Sequence, residues 1–141
     1  MPFTPKLARL ALSLCAAALT AGCVTNPASR ACAPNETNMV NDQIFLGTDT
    51  PSGPVSPQEW TSFLAESVTP RFPQGLTVWQ ASGQWRDNDG AIVREPSYVL
   101  NLVHPGDSVS EAAVRDIRTE YQTRFRQEAT LRVRQAACVS F

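Results

Sequence analysis

"GLTVWQASGQWRDNDGAIVREPSYVLNLVH", residues 75–104, decides the fold. Aromatic and β-branched residues alternate with small or polar ones on both sides of "RDNDG", the pattern of half-buried strands. The turn between them carries Asp-Gly, and glycine supplies the positive φ that a tight hairpin turn needs. The spacing predicts strands over 75–85 and 91–104. Pro96 has no backbone N–H to offer a ladder, so it is expected to interrupt or bulge the start of the second strand.

Working outward, "DQIFLG" (42–47) reads as a short buried strand and "ATLRVR" (129–134) as the last one. A helix belongs between the first strand and the hairpin. Ser56 is its N-cap, Pro57 its first residue, and Glu59 can reach back to close a capping box. Val55 and Trp60 fall where a hydrophobic staple sits, and Trp60, Phe63, Leu64 and Val68 follow at helical spacing before Pro70 stops the run. A second helix follows "HPGD", with Ser108 and Glu111 expected as its capping box and Val114, Ile117, Tyr121 and Phe125 as its buried stripe.

The order β-α-β-β-α-β is that of a ferredoxin-like α+β fold, a four-stranded antiparallel sheet with two helices on one face. The expected sheet order is 4-1-3-2, which makes strands one and three central, and "QIFLG" and "YVLNLV" are indeed the most apolar. It also brings the start of strand one beside the end of strand four. Cys32 precedes the first and Cys138 follows the second, so they are expected to form a disulfide. Alternation assigns Leu76, Val78, Leu100, Leu102, Leu131 and Val133 to the helix-covered face. The open face is then expected to carry Phe45, Trp79, Val99, Asn101, Val103 and Arg132, a set too apolar to be left to water.

The first residues belong to export. Lys6 and Arg9 precede an apolar run from Leu10 to Leu19, too short to span a bilayer. "LTAGC" then resembles the lipobox of bacterial lipoproteins, with Cys23 as the lipidated residue. Residues 1–22 are accordingly read as signal peptide, 23–38 as lipidated cysteine and linker, and 39–141 as the domain. Val24 after the cysteine resembles the sorting signal for the outer membrane, so the expected site is the outer membrane, facing the periplasm. Removing the signal leaves 119 of the 141 residues and ten of the 12 basic side chains, all Arg, against 13 acidic ones. A mildly acidic chain without a basic block is a poor nucleic-acid ligand.

"PVSPQEWTSFLAESVTPRFPQGLTV", "GQWRDNDGAIVRE" and the ending "ACVSF" resemble a family of bacterial envelope proteins, domain of unknown function 3574. The resemblance covers about residues 38–141. It implies a small secreted or lipid-anchored protein and brings no activity or catalytic residue with it.

The chemistry must therefore be read from the side chains. Asp87, Asp89 and Gly90 echo the start of a calcium loop, but Ala91, Ile92 and Tyr98 stand where that loop needs further ligands and its glycine, so no metal is expected. Arg86, Arg94 and Glu95 flank the turn, where a cross-strand ion pair is the ordinary expectation. His104 is the single histidine and should end strand three, bonding the following turn. No cofactor motif is present. The dense polar hairpin (Trp85, Arg86, Asp87, Asp89, Arg94, Glu95) suits a contact surface. The expected function is a non-catalytic binding or interaction module. Its expected partners are the membrane through the lipid, an envelope protein or small ligand, and a second copy of the chain as a candidate occupant of the open face. The alternative is a small cofactor-free enzyme using that face.

Overall fold

The computed structural model describes residues 31–141. The stretch read as signal peptide, Cys23 and the stretch read as linker as far as Arg30 lie outside them. Four strands, β1 (Thr37–Gly47), β2 (Thr77–Arg86), β3 (Ile92–His104) and β4 (Leu131–Val139), form one antiparallel sheet in the order β2-β3-β1-β4. Helices α1 (Pro57–Phe63) and α2 (Ser108–Phe125) complete the βαββαβ order.

Both end strands are longer than the spacing suggested. β1 begins at Thr37, inside the stretch read as linker, because Thr37–Phe45 ladder against Leu131–Val139. A disulfide joins Cys32 to Cys138 across 106 residues at that end, with the Cα atoms 5.4 Å apart. Closing a loop of about 100 residues removes enough unfolded-chain freedom to stabilise by roughly 4–5 kcal/mol in the chain-entropy view. β3 runs through Pro96 without a break. The Pro96 carbonyl accepts from Thr48 N–H at 3.1 Å just past the end of β1, so the missing Pro N–H falls where no strand remains to receive it.

α1 opens as its sequence demands. Ser56 accepts from Glu59 N–H, and the Glu59 carboxylate accepts from Ser56 N–H at 2.8 Å. The helix then widens over Leu64–Val68 to i→i+5 bonding, with Thr69 N–H donating to Leu64 O. α2 is capped one residue earlier than expected, by Asp107, whose carboxylate accepts from Ser110 N–H at 2.8 Å; Ser108 is already helical. Glu111 is thereby free of capping duty and turns to the sheet. The stripe Val114, Ile117, Tyr121 and Phe125 is buried and packs with Ile44, Leu46, Leu100, Leu102, Trp60 and Phe63. Trp60 stacks on Tyr98 with centroids 4.2 Å apart, fastening α1 to β3.

The face assignment fails on β4. Leu131 stands opposite Phe45 and Arg132 opposite the fully buried Ile44. Arg132 therefore projects toward the helices, and Leu131 and Val133 project to the open face. "LRVR" alternates equally well either way. The buried charge of Asp42 on β1 decides the register, because a carboxylate taken out of water needs a cation beside it.

Candidate functional site

Two places concentrate polar chemistry. The first lies beneath α2. Asp42 is fully buried, and His104 is 3% exposed. Arg132 Nε donates to Asp42 Oδ1 at 2.8 Å, and its terminal nitrogen bridges Asp42 Oδ2 and Glu111 Oε1. Arg134 adds a second cation to Glu111 at 2.9 Å. His104 Nε2 donates to Asp42 Oδ2 at 2.8 Å, while Nδ1 accepts from Gly106 N–H at 3.1 Å. That backbone donor places the ring proton on Nε2. Gly106 holds this turn at φ +74°, and a Cβ there would lie 2.5 Å from Val40 Cγ2.

Burial works to raise the Asp42 pKa, but hydrogen bonds from Arg132 and His104 outweigh it and hold the carboxyl below its ordinary value. Glu111 is lowered by its hydrogen bonds to Arg132, against a smaller opposing effect of burial. Arg132 is raised by the same partners, Asp42 first. His104 thus has the strand-end bond expected of it, but it is not alone. Its Asp42 partner lies 62 residues away in sequence and was missed. The carboxylates of Asp42 and Glu111 and the imidazole of His104 lie within 4.8 Å of one another, a spacing that suits a metal ion. The Arg132 guanidinium already fills that centre and balances the carboxylates, and both ring nitrogens are bonded within the protein.

The second place is the open face, together with the hairpin at one end of it. Phe45, Trp79, Val99, Asn101 and Val103 share this face by register, joined by Leu131 and Val133; Arg132 is absent from it. Trp79 is 42% exposed, Val103 38% and Leu131 60%, whereas Val99, flanked by Phe45 and Trp79, is buried.

The six hairpin residues divide. Arg86 binds the turn itself, donating to Gly90 O at 2.9 Å, and Asp87 accepts from Ala91 N–H at 2.8 Å. Asp89 is exposed in the turn. Arg86 and Arg94 alternate to the helix side, Trp85 and Glu95 to the open side. The expected ion pair among Arg86, Arg94 and Glu95 does not form. Instead the Glu95 carboxylate lies over Gly47, accepting from Trp85 Nε1–H at 3.0 Å and Asp49 N–H at 2.9 Å. Tyr121 supports the same spot from below, donating to Gly47 O at 2.8 Å. Burial first, then the nearby Glu95 charge, raise the Tyr121 phenol, so it remains a donor. A cleft of about 210 Å³ opens here, floored by Gly47, Gly83 and Ser97 and walled by Phe45, Leu131 and Trp85.

Sheet order, layer arrangement and this bare face define a ferredoxin-like α+β domain. The chain belongs to the family described as protein of unknown function (DUF3574), whose profile matches residues 41–141. No curated protein matches the chain. Among solved structures, it is similar to a phage SAM lyase in complex with S-methyl-5'-thioadenosine, with a TM-score of 0.56 and 14% identity over 80% of this chain and 95% of that one. A phage SAM lyase in the apo state gives 0.53 and 16% over 72% and 89%. CutA from Synechococcus elongatus PCC7942 gives 0.50 and 11% over 74% and 83%. At these identities the likeness is one of fold.

Proposed function

We propose that this chain is a lipid-anchored binding module of the bacterial envelope, holding a ligand or partner on its open sheet face without turning it over. The observation that carries the proposal is the inverted β4, which places Leu131, 60% exposed, beside Phe45 on a face that also shows Trp79 and Val103. A strand that turns its arginines inward and its aliphatics outward leaves apolar surface in water, a cost that binding would offset. The buried acid–base group is committed within the protein: Asp42 and His104 hydrogen-bond to each other, and further to Arg132 and Gly106. The "LTAGC" sequence supports anchoring at Cys23. Its tether reaches the domain at Cys32, at the opposite end of β1 from Gly47, so the cleft end faces away from the point of attachment.

A photo-reactive residue placed at Trp79 or Val103 in cells should trap an adduct that the same residue at Arg115, exposed on α2, does not. Equal trapping at both places, or catalytic turnover by the purified protein that is lost on changing Glu95, overturns the proposal. Labelling with a fatty-acid analogue should tag the protein and fail on Cys23→Ser; a tag that persists refutes the anchor.

A further inference from the structure

The cleft beside Glu95 has a chemistry narrower than that of the face around it. Its carboxylate is pre-positioned. The Trp85 indole and the Asp49 backbone each hold one oxygen, leaving each with lone pairs to spare. Gly47 makes that position possible: a Cβ there would lie 2.4 Å from Glu95 Oε1 and 2.7 Å from Oε2. Any other residue at 47 would drive the carboxylate away. Yet among the described residues Glu95 enters no ion pair. The nearby cations are committed elsewhere, Arg86 to the turn carbonyl and Arg94 to the opposite side of the strand. Gln127 donates its amide N–H to Asp49 O at 2.6 Å, which leaves its carbonyl as a further acceptor on the rim. The cleft therefore presents acceptors and one unbalanced negative charge between the aromatic rings of Phe45 and Trp85 and the side chain of Leu131.

We infer that this cleft binds a small organic cation, an ammonium group on a short branched apolar stem, with Glu95 as its counter-ion. The inference rests on the open face being the binding surface. Charge complementarity selects the occupant. An ammonium donates to the spare Glu95 lone pairs and lies beside the aromatic side chains of Phe45 and Trp85, while the stem covers Leu131 and Phe45. An anion would be repelled, and a neutral ligand would leave the carboxylate unbalanced. Size limits the stem: 210 Å³ holds roughly seven water-sized groups, less than the about 300–1,000 Å³ of sites for drug-sized ligands.

The test uses the full chain as purified from cells in mild detergent, titrated with 3-methylbutylammonium, 3-methylbutanol and 3-methylbutyrate while the Trp85 indole N–H resonance is followed. The ammonium should saturate a shift of that resonance. The alcohol should bind more weakly, and the carboxylate weakest. Glu95→Gln keeps an acceptor for Trp85 or Asp49 and should weaken the ammonium by at least about tenfold, the effect of one charged hydrogen bond, and the alcohol by less. Gly83→Leu should remove the shift by filling the floor, since the nearest atom to a Cβ there is 3.9 Å away. No shift with the ammonium, equal or tighter binding of the carboxylate, indifference to Glu95→Gln, or a shift that survives Gly83→Leu each overturns the inference. Loss of cation binding with selective trapping at Trp79 and Val103 intact overturns the cation site alone; loss of both overturns the binding face as well.

Discussion

Arg132 on β4 closes on Asp42 on β1 across 90 residues of sequence, under a helix rather than in solvent. Asp42 is fully buried and has His104 as its other partner, so the guanidinium is the charge that makes its burial tolerable. Replacing Arg132 with Met keeps the stem and removes the charge. The expected cost is about 3–5 kcal/mol, the range for leaving a buried ion without its partner. Urea unfolding reads it as a lower midpoint at unchanged slope. A loss under 1 kcal/mol, on the order of an exposed pair, would show that Asp42 does not need this partner.

The same pair sets an acid limit. Hydrogen bonds to Arg132 hold both Asp42 and Glu111 below their ordinary values of 3.8 and 4.5 in the folded protein. With folded values depressed, the unfolded chain takes up protons first as pH falls. The stability they contribute is complete above 4.5 and is lost as pH drops through 3.8 and on toward the folded values. Unfolding midpoints measured from pH 6 to 3 should fall steeply below 4.5, and Arg132→Met should flatten that fall. A curve equally steep in the variant would assign the acid loss to other carboxylates.

Local signals carried most of the fold. The Ser56–Glu59 box, the Asp-Gly hairpin and the stripe from Val114 to Phe125 depend on neighbours within a few residues, so spacing is enough to find them. Cys32 and Cys138 were paired because the strand order brings their ends together. Long-range chemistry escaped. Nothing local distinguishes "LRVR" with its leucine inward from the same segment with its arginines inward; that choice rests on Asp42, itself read only as a strand's first residue. Glu95 was expected to meet an arginine because three charges cluster in sequence. Strand alternation sends those arginines to the other side, and the absence of a side chain at Gly47 lets the carboxylate settle where Trp85 can reach it. The signals for that placement, a glycine ending a buried strand and a tryptophan paired near a glutamate, make sense only once the register is known.

The disulfide is the third place to test. Cys138→Ser frees the segment before β1 from the end of β4 and restores the freedom of a loop of about 100 residues, an expected loss of roughly 4–5 kcal/mol. Reduction of the native protein should lower its unfolding free energy by the same amount, read as a lower urea midpoint. Mass spectrometry of exported protein under non-reducing conditions should show no free thiol at Cys32 or Cys138, and two free thiols there would refute the pairing.

The last prediction separates two glycines that lie on the same cleft floor. At Gly47 an added methyl would meet all three atoms of the Glu95 carboxyl group at 2.4–2.7 Å, closer than a Cβ approaches any neighbour. The carboxylate has to move, and it is bonded to Trp85 Nε1 and Asp49 N. Gly47→Ala should therefore cost about 1–3 kcal/mol, as overpacking does, and release the Trp85 indole proton to exchange with solvent. At Gly83 the same methyl finds Ser97 Oγ at 3.9 Å and the Glu95 carbonyl at 4.0 Å, ordinary contacts, on a residue whose backbone needs no left-handed conformation. Gly83→Ala should stay within about 0.5 kcal/mol of the native protein and keep the indole protected. Hydrogen exchange of the Trp85 side chain, measured alongside urea unfolding, reads both effects. Equal behaviour of the two variants would mean that Glu95 is not held over Gly47, because that contact is what sets the two positions apart.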